Sequence, residues 1–227
     1  MSWIDLSAGT MWMAAALAIW AALSASRNIS VAGRRSFTRM QAAIALWAAT
    51  AGIELLVTNL TQHVWLARIQ YFGIVSLPVF WLFFAGRYTQ RINVRDRRLG
   101  ILWLVPIVTM IAAFTNNWHH LLWRDIILPT REDTLTTFVH GPVFWLNWIH
   151  AYVLLAVGTV WMAMSLKHYS ARYRVQLWLL IVGVVAPWVG NLLYILGWVP
   201  LAGLDMTPVA FSITGACFIA SVFSVRR

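Results

Sequence analysis

Seven apolar runs, each about long enough to cross a bilayer, follow one another along the 227-residue chain and leave it very few folds. Crossing roughly 30 Å of hydrocarbon takes about 20 helical residues at about 1.5 Å each. The runs cover residues 6–25, 40–60, 64–88, 99–114, 142–166, 175–196 and 208–225, and the fourth extends through "TNNWHHLLW". Hydrophobic residues make up 61% of the chain, more than a soluble core of this size can hide, so lipid is the expected solvent. The expectation is an all-α integral membrane protein, a single seven-transmembrane helix bundle over residues 1–227.

The polar connections set its direction. When successive loops are assigned to alternating sides, all but Arg68, Arg124 and Arg131 of the 17 basic residues fall on one face. Asp5, Asp125, Glu132, Asp133 and Asp205 fall on the other. Basic loops mark the cytoplasm, so the N-terminus is expected outside and the C-terminus inside. The net charge of +10 therefore belongs to membrane-flanking clusters and does not point to a nucleic-acid partner. No Lys or Arg precedes the first run, whereas Asp5 does, which favours a retained helix over a cleaved signal peptide. The single Cys217 supports no disulfide and reads as a packing residue. In the outer connection 116–141, two β-prone pieces flank "PTRED" and suit a small hairpin lid over the bundle mouth. A loop without strands is the competing reading.

The segment "TAGIELLVTNLTQHVWLARIQY" places Glu54 and Arg68 inside apolar runs. Each is seven residues from Thr61, which puts both about 10 Å below a turn, at equal depth on neighbouring helices. A charge in the membrane costs about 2.5–3.5 kcal/mol on insertion scales, so such groups pair or face a wet cavity. Two readings follow: a structural ion pair that locks the hairpin, or part of a ligand cavity in the outer half. Asn116, His119, His120, His150, Asn191, Tyr194, Asp205 and Thr207 share that outer half and favour the cavity. Trp65, Trp118, Trp123, Trp145, Trp148 and Trp198 lie at the same level, where an interfacial aromatic belt accounts for most of them. Pro78, Pro106 and Pro187 fall mid-span and are expected to kink their helices, as hinges or as fixed geometry.

Several chemistries are not expected. A retinal Schiff base needs a lysine buried in the seventh helix, and the sole lysine, Lys167, ends the fifth. His119 and His120 diverge on a helix, so no metal site is expected, and no motif calls for a cofactor or catalytic residue.

The strings "IELLVTNLTQHVWLARIQYFGIVSLPVFWLFFAGRYTQR", "LVPIVTMIAAFTNNWHHLLW", "HGPVFWLNWIHAYVLL" and "RVQLWLLIVGVVAPWVGNLLYILGWVPLAGLDMTP" run in order over nearly the whole chain. Together they resemble the N-terminal seven-transmembrane sensor domain of bacterial histidine kinases, which is also found ahead of diguanylate cyclases. The resemblance implies a receptor role for Glu54, Arg68, Gln70, Tyr71, Asn116, His119, Trp123, Trp145, Asn191, Tyr194 and Asp205. It also implies a bacterial inner-membrane location, a small-molecule ligand, a cytoplasmic output domain fused or separate, and a homodimer as one arrangement. Members usually continue into an output module, whereas this sequence ends at "FSVRR" without phosphoacceptor, nucleotide or cyclase motifs, so no enzymatic activity is expected of it. A small transporter and a purely structural membrane module are the rival readings. The first is disfavoured by the lack of an internal repeat and by polar groups lying high in the span, not at its centre.

Overall fold

The computed structural model describes residues 3–27, 32–93, 97–127, 136–168, 171–196, 205 and 207–224. Seven α-helices carry nearly all of them: α1 (Trp3–Arg27), α2 (Arg34–Glu54), α3 (Leu60–Tyr88), α4 (Leu104–His119), α5 (Pro142–Ser165), α6 (Ala171–Ile195) and α7 (Thr207–Ser224). Two antiparallel strands, β1 (Trp123–Ile127) and β2 (Thr137–His140), join α4 to α5. Among the described residues four helical stretches are long and apolar enough to cross a membrane: Trp3–Arg27, Leu60–Tyr88, Arg98–His119 and Pro142–Ser165. The others miss that test for separate reasons. Arg34, Arg35, Arg39, Gln41 and Glu54 dilute α2, and the apolar parts of α6 and α7, Leu177–Leu193 and Thr207–Cys217, are shorter.

The surface is that of a protein solvated by lipid. On α1 the buried positions are Ser7, Ala8, Met11, Ala14, Ala15, Ala18, Ala21, Ala22 and Ala25, a stripe of mostly small residues at helical spacing. Leu6, Trp12, Met13, Leu17, Ile19, Trp20 and Leu23 point outward. Small side chains let helices approach closely where lipid removes the usual hydrophobic drive, and large apolar ones face the hydrocarbon. The helix α4 repeats the pattern, with Leu104, Ile107, Ile111, Phe114 and Trp118 on its outer side.

The helices close a ring. α1 packs on α2 and α7, α2 on α3, α5 on α3 and α6, and α6 on α7, while α4 lies outside against α3 and α5. Away from the hairpin the interior is tightly filled by Phe37, Met40, Ile44, Trp81, Phe84, Met162 and Leu177. Gly73 fixes the α2–α3 approach, because a Cβ there would sit 2.5 Å from the carbonyl oxygen of Ala43. Pro78 and Pro187 are inside α3 and α6, as expected. Pro106 departs from expectation: α4 begins at Leu104 after a 3-10 turn, so the ring sits in the first turn, where no N–H is needed.

Candidate functional site

At the hairpin end the ring does not fill, and a cavity of about 220 Å³ remains between the helices. One water needs only about 10–15 Å³, so the space suits a small organic molecule. Its wall is built from helical stripes. α3 contributes Ala67, Gln70, Tyr71, Ile74, Leu77 and Pro78, and α5 contributes Phe144, Asn147, Trp148, Ala151, Tyr152 and Leu155. Both sets recur at intervals of three and four residues, the signature of one face of a helix. α2 adds Trp47, Ala51 and Glu54, α6 adds Pro187, Trp188, Asn191 and Ile195, and α1 and α7 add Met11, Thr207 and Phe211. Asp205, just before α7, completes the ring, and Trp123, Phe138 and His140 of the hairpin form the roof.

Two carboxylates enter this wall, each held by donors. Glu54 is the last residue of α2. Its Oε2 accepts a short hydrogen bond from Gln70 Nε2, and its Oε1 lies 3.4 Å from His63 Nδ1. His63 Nε2 in turn lies 3.2 Å from Thr136 Oγ1 at the base of the hairpin. Across the cavity, Tyr152 OH donates to Asn191 Oδ1 at 3.1 Å, and Asn191 Nδ2 donates to Thr207 Oγ1 at 3.4 Å. The Thr207 hydroxyl then donates to Asp205 Oδ1, which also accepts the Thr207 N–H at 2.9 Å. Burial pushes the Asp205 carboxyl above the usual carboxylate range, and the Thr207 bonds partly oppose that.

The roof is held by the chain on either side of it. Asn116, buried in the last turn of α4, accepts the N–H groups of Leu122 and Trp123 at 3.0 Å each and donates to the Trp123 carbonyl at 2.9 Å. His120 ends α4 in the left-handed region at φ 53°, and His119 bonds Thr115 Oγ1 and the Leu121 N–H. Gly141 N–H returns to the Leu122 carbonyl at 2.8 Å, an approach that leaves no room for a Cβ. Trp123 then stands edge-on to Tyr71, with centroids 5.5 Å apart, and packs on Phe138 at 5.1 Å. His140 stacks on Phe144 at 3.5 Å, and burial pushes its imidazole down to about 4.

Of the residues singled out in the sequence, Glu54, Gln70, Tyr71, Trp123, Trp148, Asn191, Asp205 and Thr207 line the cavity, as do Pro78 and Pro187. Arg68 does not, and it does not pair with Glu54. Gln70 reaches Glu54 and sits two residues beyond Arg68, so the depths agree but the directions do not. Two residues turn a helix by about 200°, which aims Arg68 at α4. There its Nε donates to the Ala113 carbonyl at 3.0 Å and a terminal nitrogen to Asn117 Oδ1 at 3.2 Å, with the guanidinium 4.9 Å from the Trp65 ring centre. Asn116 and His119 bind backbone at the α4–β1 junction, as described. Trp145 and His150 lie off the cavity stripe of α5, and Trp145 is 43% exposed. The side chain of Tyr194 and the hairpin tip at 128–135 lie outside the described residues. Sequence reasoning passed over Trp47, Asn147, Tyr152 and Trp188; extending the phase of Gln70 and Tyr71 to the facing helices is the signal that finds such positions. No group of three or more metal-ligating side chains occurs among the described residues.

The family model described as the N-terminal 7TM region of histidine kinase matches residues 7–226. No curated protein and no solved structure matches the chain.

Proposed function

Because the chain belongs to the family of N-terminal 7TM regions of histidine kinases, we propose that it is a ligand-receiving sensory input domain of the bacterial inner membrane. In this reading it crosses the membrane seven times, with its N-terminus and hairpin outside and its C-terminus in the cytoplasm. A small molecule enters beneath the hairpin and contacts Glu54, Gln70, Tyr71, Trp123, Asn191 and Asp205. Binding then favours one packing of α5, α6 and α7 over another, and a cytoplasmic output domain reads the change from the end of α7. A ligand moves such an equilibrium only by its difference in affinity for the two packings.

One observation carries the reading: a polar and aromatic cavity bounded by six of the seven helices and roofed by the hairpin, above an interior that is filled. A ligand there touches nearly every element at once, so occupancy and helix packing are coupled. Arg68 braces α4 against α3 and contacts no ligand.

The test is a thermal-shift screen of small metabolites on the purified protein in detergent, repeated with Glu54→Gln. The expected result is a compound that raises the melting temperature of the parent protein and loses most of that effect in the variant. A spin label near the end of α7 should move with the same compound. Saturating ligand without any movement there would remove the relay, and flux of the compound across proteoliposomes would make this a transporter instead.

A further inference from the structure

The charges on the cavity wall are all of one sign. Glu54 and Asp205 both line it, and among the described residues no Lys or Arg does. Arg68, the cation nearest in sequence, is committed to Ala113 and Asn117 on the other side of α3. His140 adds no positive charge at neutral pH, since burial pushes its imidazole down to about 4. Beside Glu54, the His63 imidazole is the one titratable partner among the described residues.

Three further observations say what the negative wall faces. Glu54 ends α2, where the helix already presents the negative end of its dipole, so a carboxylate there is opposed by its own helix and favoured by an incoming cation. The bonds around Asp205 run one way: Tyr152 donates to Asn191, Asn191 to Thr207 and Thr207 to the carboxylate, so the donors partly offset the burial that raises this carboxyl, and an incoming cation would favour its charged form further. Asn147 also lines the cavity; it is only 5% exposed, and its amide carbonyl is a further acceptor for an ammonium N–H.

The remainder of the wall is aromatic. Trp47, Tyr71, Trp123, Trp148, Tyr152 and Trp188 surround the space, and ring faces attract cations, above all alkylated ammonium groups. Resting on the sensor reading above, we infer that the cavity takes a small organic cation, an amine or quaternary ammonium compound, with Glu54 and Asp205 as counter-ions and the indoles as its cage. An anionic ligand would meet two carboxylates in a poorly solvated space, and like charges disfavour each other there.

The experiment uses a charge series on one skeleton: 2-phenylethylamine, its trimethylammonium derivative, neutral propylbenzene and anionic 3-phenylpropanoate. Binding to the purified protein in discs of uncharged lipid is followed by tryptophan fluorescence, which the four indoles of the wall make sensitive to occupancy. The two cations should bind saturably, at least about tenfold more tightly than the neutral and anionic members. Glu54→Gln and Asp205→Asn should each weaken cation binding by about tenfold and leave propylbenzene unchanged. The comparison within the unmodified protein needs no variant, so a folding defect in either one cannot hide the answer. Equal or tighter binding of the neutral or anionic member overturns the inference, as does failure of both cations to bind at millimolar concentration. If a neutral or anionic metabolite from the thermal-shift screen binds in that case, the sensor reading stands without the cation. If nothing in either set binds, both fall.

Discussion

Asn116 sits in the last turn of α4 and commits both ends of its amide to the backbone at the start of β1. Removing it would strand the N–H groups of Leu122 and Trp123 at positions only 0% and 2% exposed. Buried donors left without partners cost about 1–3 kcal/mol each, so Asn116→Ala should destabilise the protein by about 2 kcal/mol or more. Thermal denaturation in detergent checks this, and an unchanged midpoint would mean the clasp is dispensable. The same residue marks a limit of residue-level reading. Its type and depth were legible, and both suggested a ligand contact, but its partners are backbone groups six and seven positions on. Only the turn that follows α4 brings them within reach. Arg68 teaches the converse lesson. Its depth followed from counting, while its direction needed helical phase, and Gln70 at a different phase took the place opposite Glu54.

At the scale of elements, the hairpin was written locally, in β-prone pieces on either side of "PTRED", and β1 and β2 pair antiparallel where those pieces lie. How it is held down was not local. His140 ends β2 flat against Phe144 of α5, in a position that burial keeps uncharged until the pH falls to about 4. A lifted hairpin would expose the ring and let it take a proton below about pH 6.5. Between about 6.5 and 4 the open form therefore binds more protons, so the closed roof gains stability as pH rises and loses it on acidification. Amide exchange over residues 137–140, corrected for the intrinsic pH dependence of exchange, should show less protection at pH 5 than at pH 7. His140→Gln should remove the difference. Equal protection of the parent protein at both pH values would show that His140 does not hold the roof. The prolines show the same division between local and non-local information: Pro106 looked mid-span by run length, but the helix starts two residues before it.

For the whole molecule, the alternation of basic and acidic connections predicts which side each loop occupies, and a direct test is available. In a Cys217→Ser background, Arg124→Cys on β1 should react with a membrane-impermeant maleimide in intact spheroplasts. Arg91→Cys, after α3, should react only once the membrane is opened; both positions are exposed. The reverse pattern would invert the proposed orientation. That the protein is helical and membrane-embedded, and approximately where its helices lie, was legible in the residues alone. Those properties depend on run length and composition, which need no partner to be read. Tertiary structure alone decided that Glu54 and Asp205 share one cavity while Arg68 is excluded from it. Which face of a helix turns inward depends on its neighbours, and a rotation of one or two residues exchanges a cavity wall for a helix interface.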